Sequence, residues 1–279
     1  NQKYLSSYFS ALVSYDNQNN DVALKFFNSS KSLMKKHDNF LKEYVFSLVL
    51  DGQVKKAIDQ IKISKNEQNS DFFEANLLLT LDSFKKKKFK KVSKKLKKLE
   101  TLKDNGTYEY VIYKILESYN KLYLYKKIDK ENENFGNLSL ITNAFQNCYL
   151  NSEKTSSHFI NLINSEQGDY SRYLFFYFSN LIQNDEFDTA IAISKTIHPL
   201  SGNLLISQAK KWIDEKKYKK FSDYFSCKNE NDILSEFFFL ISNLFSSQEM
   251  FEHSNFYLSI SNYLNSEFYF NSSLLVENF

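Results

Sequence analysis

Three features of this sequence predict an all-α fold. Glycine and proline are scarce, five and one in 279 residues, too few for the turns and bulges of a sheet protein. Apolar residues recur at spacings of three and four, the mark of amphipathic helices. One stretch, LKEYVFSLVLDGQVKKAIDQIKIS from Leu41 to Ser64, reads as two such helices joined at Asp51-Gly52, and its pattern returns about every 34 residues. That period belongs to stacked helical arrays, in which each hairpin is stable because its neighbours bury its apolar faces.

The first hairpin is YLSSYFSALVSYDNQNNDVALKFFNSSKSL. Tyr4, Tyr8, Ala11, Leu12 and Tyr15 mark one helix face, Val22, Ala23, Phe26, Phe27 and Leu33 the next, and Asp16 to Asn20 the turn between them. The second hairpin is Leu41 to Ser64, where Ala57 falls 34 residues after Ala23. In the third, FFEANLLLTLDSFKKKKFKKVSKKLKKLETL, Val92 takes the equivalent place 35 residues on. TYEYVIYKILESYNKLYLYKK then predicts a strong helix with a stripe through Tyr110, Ile112, Tyr113, Leu116 and Tyr119.

A polar loop, KIDKENENFGN, follows, with LSLITNAFQNCYL and HFINLIN as shorter helices. Residues 126–168 are read as an irregular or degenerate unit between repeats in 1–125 and in 169–279. Phase returns in YLFFYFSNLIQNDEFDTAIAISKTI, where Pro199 should stop the second helix, in LLISQAKKWIDEKKYKKFSDYFS and in EFFFLISNLFSSQEMFEHSNFYLSISNYL. The end, SEFYFNSSLLVENF, looks like the first helix of another hairpin. With no partner helix, Phe268, Phe270, Leu274 and Leu275 would be half exposed, and the expectation is a piece of a longer protein.

These units resemble the tetratricopeptide repeat, a 34-residue helical hairpin with small residues at its eighth, twentieth and twenty-seventh positions. Aligned on the twentieth, the chain supplies Ala11, Ala23 and Ser30, then Val45, Ala57 and Ser64, then Thr80, Val92 and Leu99. Later units supply Phe178, Ala190 and Ile197, then Ala209 and Phe221, then Ser242, Ser254 and Ser261. The seventeenth position is aromatic at Phe89, Phe187, Tyr218 and Phe251, but Asn20 and Val54 hold it in the first two units. The resemblance implies a right-handed α-α superhelix, a solenoid whose concave groove binds a peptide or partner protein without catalysis. It is closest to bacterial proteins exported to the envelope, which implies a periplasmic or envelope location, with the cytoplasm as the alternative.

The family's groove positions, carried over in phase, are Asn39, Lys42 and Phe46, then Arg172, then Asn203 and Lys210, then Asn243. Phe175, Ser179, Ile206, Glu236 and Phe239 are their companions on the same helices. Arg172, Asn203, Lys210 and Asn243 suit a peptide backbone or carboxylate. Trp212, Tyr218, Phe221 and Phe225 are read as packing.

Composition narrows the classes. Net charge is +3 and Arg172 is the only arginine, which disfavours a dedicated nucleic-acid binder. Lys, Asn, Phe, Tyr and Ile share A/T-rich codons, so part of their abundance is compositional. No run approaches 18 apolar residues, so no transmembrane segment is expected. His37, His158, His198 and His253 are scattered, and neither a phosphate-binding glycine loop nor a metal-ligand spacing occurs. No catalytic residue, metal or cofactor is expected. Cys148 and Cys227 stand far apart without a CxxC pattern and are read as two buried thiols.

One charge feature stands out. KKKKFKKVSKKLKK, Lys85 to Lys98, holds ten lysines and no acid, so the remainder of the chain carries about −7 by subtraction from +3. Phe89, Val92, Leu96, Leu99 and Leu102 make its apolar stripe, and Lys90, Lys91, Lys94 and Lys95 lie in the candidate basic patch. This leaves two alternatives to a scaffold: the targeting arm of a longer enzyme, or a binder of anionic lipid or nucleic acid.

Overall fold

At seven helix ends the chain turns in the same way. The structure is a computed structural model that describes residues 2–37, 39–64, 71–104, 107–129, 133–165, 169, 171–197, 204–272 and 274. Of these, 76% are helical, in 15 α-helices, and none is in a strand. Pro199, His198, Asn203 and Leu275 lie outside the described residues.

The helices are α1 (Gln2–Asp16), α2 (Asn20–Ser29), α3 (Phe40–Leu50), α4 (Val54–Ile63), α5 (Phe73–Lys85), α6 (Phe89–Leu102) and α7 (Tyr108–Tyr125). They continue as α8 (Asn137–Leu150), α9 (Thr155–Ile163), α10 (Tyr173–Gln183), α11 (Phe187–Thr196), α12 (Leu204–Asp214), α13 (Lys219–Tyr224), α14 (Glu230–Ser246) and α15 (Phe251–Leu264).

Gln18, Gly52, Lys87, Asn151, Asp185, Lys216 and Glu249 all have φ between 54° and 73° and follow a first helix of a hairpin. Each closes it with the same two backbone bonds. In α3, the Gly52 amide donates to the Val49 carbonyl at 2.9 Å and the Gln53 amide to the Leu48 carbonyl at 2.7 Å. After α5, Lys87 and Lys88 donate to Phe84 and Ser83 at 2.7 and 2.9 Å. This left-handed cap satisfies carbonyls that a helix end leaves bare. In six of the seven turns, the left-handed residue stands five positions before the twentieth-position residue: Ala23, Ala57, Val92, Ala190, Phe221 or Ser254. The repeat phase is therefore built into the backbone, even where loop lengths change.

The small positions are buried: Ala11, Ala23, Ser30, Val45, Ala57, Thr80, Val92, Ala190, Ala209, Ser242, Ser254 and Ser261 are fully enclosed, while Ile197 is only half-buried. In the last hairpin serine replaces alanine, and the Ser242 hydroxyl donates to the Ser254 carbonyl at 2.7 Å. Two helix backbones can approach that closely only across small side chains.

By its contacts the chain divides into two compact units. The first contains residues 1–113, 235–266 and 271–279; the second contains 114–234 and 267–270. In the first unit the hairpins stack in chain order, α2 on α3 and α4 on α5, and α15 packs against both α3 and α4. Phe46 of α3 stacks on Phe256 of α15 at 4.6 Å. In the second, α8 packs on α9, α9 on α10, and α10 on α11, α12 and α13 around an aromatic core of Phe145, Phe175, Phe176, Phe221 and Phe225.

Two expectations fail. Cys148 and Cys227 are not thiols: they form a disulfide, with Cα atoms 5.7 Å apart across a sequence separation of 79. Sequence distance hid the pairing because the end of α8 and the loop before α14 are separated along the chain by α9 to α13. Phe268 and Leu274 are not half exposed either, whereas Phe270 is half-buried as expected and Leu275 lies outside the described residues. Phe268 is buried against Phe175, Phe176 and Phe225 in the second unit, and Leu274 is buried with Phe239 and Leu258 in the first. Tyr269–Ser272 is only a 3-10 turn.

Candidate functional site

The groove positions of the second hairpin converge. Asn39 caps the start of α3, Lys42 lies one turn on, and Phe46 one turn further, so the three share a face at spacings of three and four. Together with Tyr15 of α1 and Glu43 they line a notch of about 240 Å³ in the first unit. Asn39 and Lys42 are exposed and Phe46 is 8% exposed, its ring forming a wall between the Lys42 Nζ, 5.8 Å from its centroid, and Phe256. The Asn39 side chain makes no capping hydrogen bond, so its amide can both give and accept one.

The floor is acidic. The Tyr8 hydroxyl donates to Glu43 Oε2 at 3.0 Å, and the Tyr15 hydroxyl donates to Glu252 of α15. Burial raises the Tyr15 phenol well above its usual value, reinforced by its bond to Glu252 and by the charges of Glu252, Glu43 and Asp16. Burial likewise raises the Tyr8 phenol, with Glu43 adding to it. Burial is also the main reason that the Glu43 carboxyl is raised; Asp16 adds to the shift, and the Tyr8 hydrogen bond and Lys42 oppose it. The notch thus offers a polar rim, an aromatic wall and hydrogen-bond acceptors already held in place by tyrosines.

The other groove residues are used elsewhere. The Arg172 guanidinium lies 5.6 Å over both Phe176 and Phe268, as packing for the second unit's core. Lys210 donates to the Ser194 carbonyl near the end of α11 at 2.9 Å and lies 3.8 Å from Asp214. Asn243 is exposed on α14. The companions Phe175, Ser179, Ile206, Glu236 and Phe239 are all buried. The reason is the chain itself: Phe268 covers Phe175 at 5.4 Å in the second unit, as α15 covers α3 in the first.

Of the basic patch, Lys90, Lys91 and Lys94 are exposed and Lys95 is half-buried. Val92, Leu96 and Leu99 face inward, as the stripe requires. Trp212, Phe221 and Phe225 are core residues and Tyr218 is half-buried, stacked on Phe187 at 4.6 Å.

A larger cleft went unread in the sequence. In the second unit, α7, the start of α8 and the loop between them enclose about 340 Å³, lined by Lys114, Glu117, Ser118, Lys121, Asp129 and Glu133 among others. Its charges satisfy each other: Lys114 meets Glu133 at 3.0 Å, and Lys121 meets Asp129 at 3.0 Å and Glu117 at 3.7 Å. Burial lowers the Lys121 ammonium, but its bond to Asp129 and the charge of Glu117 win and raise it. The polar loop was the available signal, and spacing could not say which acids would meet which lysines.

Among the described residues, no three His, Cys, Asp or Glu side chains stand together as a metal site, and no helix is long and apolar enough to cross a membrane. No protein-family model, curated protein or solved structure matches the chain.

Proposed function

We propose that this chain is a non-enzymatic interaction scaffold of tetratricopeptide-like hairpins, which holds a peptide segment of a partner protein at the α3 notch. The observation that carries this reading is the convergence of Asn39, Lys42 and Phe46, placed by repeat phase alone, on one opening with Tyr15 and Glu43. The recurring left-handed turn and the in-order stacking of the first three hairpins support a solenoid-like array there. In the first unit α15 packs against α3 and α4 beside this notch. Binding would use a preformed surface, which lowers the ordering cost of association.

A location outside the reducing cytoplasm belongs to the same reading. The Cys148–Cys227 disulfide supports it, because such bonds persist in oxidising compartments.

The test places a photo-crosslinking residue at Lys42 and, as a control, at exposed Lys219. The captured partner is then purified and its affinity measured by calorimetry. Asn39→Ala with Lys42→Ala should weaken binding about tenfold or more. Equal capture at both positions, or an unchanged Kd, overturns the proposal.

A further inference from the structure

The sequence from Lys85 to Lys98 contains ten lysines, no acid and no asparagine. Codon bias alone would raise asparagine with lysine, so composition does not account for this run. At least three of the ten have partners within the fold. Lys85 reaches the Tyr263 carbonyl and lies 4.0 Å from its ring centroid, Lys86 meets Asp82 at 2.7 Å, and Lys98 meets Asp71.

Lys88, Lys90, Lys91, Lys94 and Lys97 are different. All five are exposed, and none forms an ion pair among the described residues. Of the acids flanking the run, Asp82 is already shared by Lys62 at 2.9 Å and Lys86, and Glu100 pairs with none of the five among the described residues. At about 100° per residue, the lysines from 90 to 98 fall within an arc of roughly 160°, opposite Val92, Leu96 and Leu99. Like charges three and four apart weaken a helix. Lys90, Lys91, Lys94 and Lys97 therefore repel one another with no ion pair among the described residues, and an external anion would relieve that repulsion.

We infer that the outer face of α6 is an electrostatic docking surface for an anionic membrane. Three observations favour a lipid surface over nucleic acid. The face has no arginine to fork a phosphate. It has no exposed aromatic ring on which a base could stack, since Phe89 is half-buried, 6.4 Å from Phe84. The rest of the chain is net acidic and is repelled by either anion, and this asymmetry suits a planar negative surface that α6 alone would meet. The apolar side of α6 is already buried in its hairpin, so the helix docks without inserting, and binding is reversible and salt-sensitive. The inference does not rest on the α3 notch.

The test is co-sedimentation of the 279-residue chain with vesicles of phosphatidylcholine alone or mixed with phosphatidylserine. Binding is expected only to the mixed vesicles, falling steeply between about 50 and about 500 mM salt. K90E/K91E/K94E/K97E should lose at least about 100-fold in affinity, while K211E/K216E/K219E/K220E, with the same charge change on α12, α13 and the turn between them, should stay within about threefold. Lys→Gln at the same four α6 positions adds no new charge and should lose about tenfold or more, which guards against a folding defect in the first variant. Absence of binding to the mixed vesicles at low salt, equal loss in the two Lys→Glu variants, or tighter binding to DNA or RNA than to vesicles overturns the inference.

Discussion

Phe46 of α3 lies almost face to face with Phe256 of α15, their ring centroids 4.6 Å apart and their planes inclined by 27°. A residue that the repeat phase places on an open groove is thereby half a wall of the core. Either Phe→Ala change should cost about 3–4 kcal/mol of unfolding free energy, through lost burial and an unfilled cavity. The double variant should cost about 1 kcal/mol less than the sum, because the stacking can be lost only once. Urea unfolding measures this, and strictly additive losses would deny that the two rings act together.

Gly52 and Lys87 hold the same turn position in consecutive hairpins, at φ 73° and 54°. A side chain in this left-handed region costs about 1 kcal/mol relative to glycine. No atom lies within 4 Å of the Cβ that Gly52 would gain, so Gly52→Ala should lose about 1 kcal/mol through conformation alone. Lys87→Gly and Asp185→Gly should each gain about 0.5–1 kcal/mol at the same turn. Lys91→Gly, within α6, should instead lose about 1 kcal/mol. Thermal midpoints of the four variants check the signs.

The Cys148–Cys227 bond encloses a loop of about 80 residues. Lys228, next to Cys227, donates to the Tyr149 carbonyl at 2.9 Å, capping the end of α8 at the same place. Cys148→Ser with Cys227→Ser should lower stability by about 2–4 kcal/mol. A thiol reagent should label neither cysteine in the native oxidised protein and both after denaturation with reductant. Rapid labelling without reductant would contradict the bond.

Glu43 gives a pH dependence whose sign is determined. Burial holds its carboxyl above the usual range, so the folded state binds this proton more tightly than the unfolded chain does. The resulting stability is complete below the unfolded value and is lost as pH rises through the higher folded value. Glu43→Gln mimics the protonated form and can still accept the Tyr8 hydrogen bond. Its advantage over the parent should be present at pH 7 and shrink toward zero below about pH 4. A difference that stays flat or grows toward acid in urea midpoints would show that Glu43 is not the group responsible.

Helix content, the hairpin turns and the buried small positions were all legible in sequence because each is a local rule. Apolar spacing defines a helix face, a left-handed cap ends it, and a small residue five positions later permits close crossing, all within one hairpin. Lys90, Lys91 and Lys94 were likewise predictable as exposed, since they lie opposite Val92, Leu96 and Leu99 on one helix. Tertiary structure alone decided what those faces meet. Cys148 found Cys227, Phe46 found Phe256, Phe268 found Phe175, and Lys121 met Asp129 as well as its helix neighbour Glu117. Such pairings depend on which distant surfaces the stacked hairpins bring together, and period and composition do not encode that distance. Of the positions carried over by repeat phase, Asn39, Lys42 and Phe46 therefore line a notch, while Phe175, Ser179, Ile206, Glu236 and Phe239 are buried by other parts of the same chain.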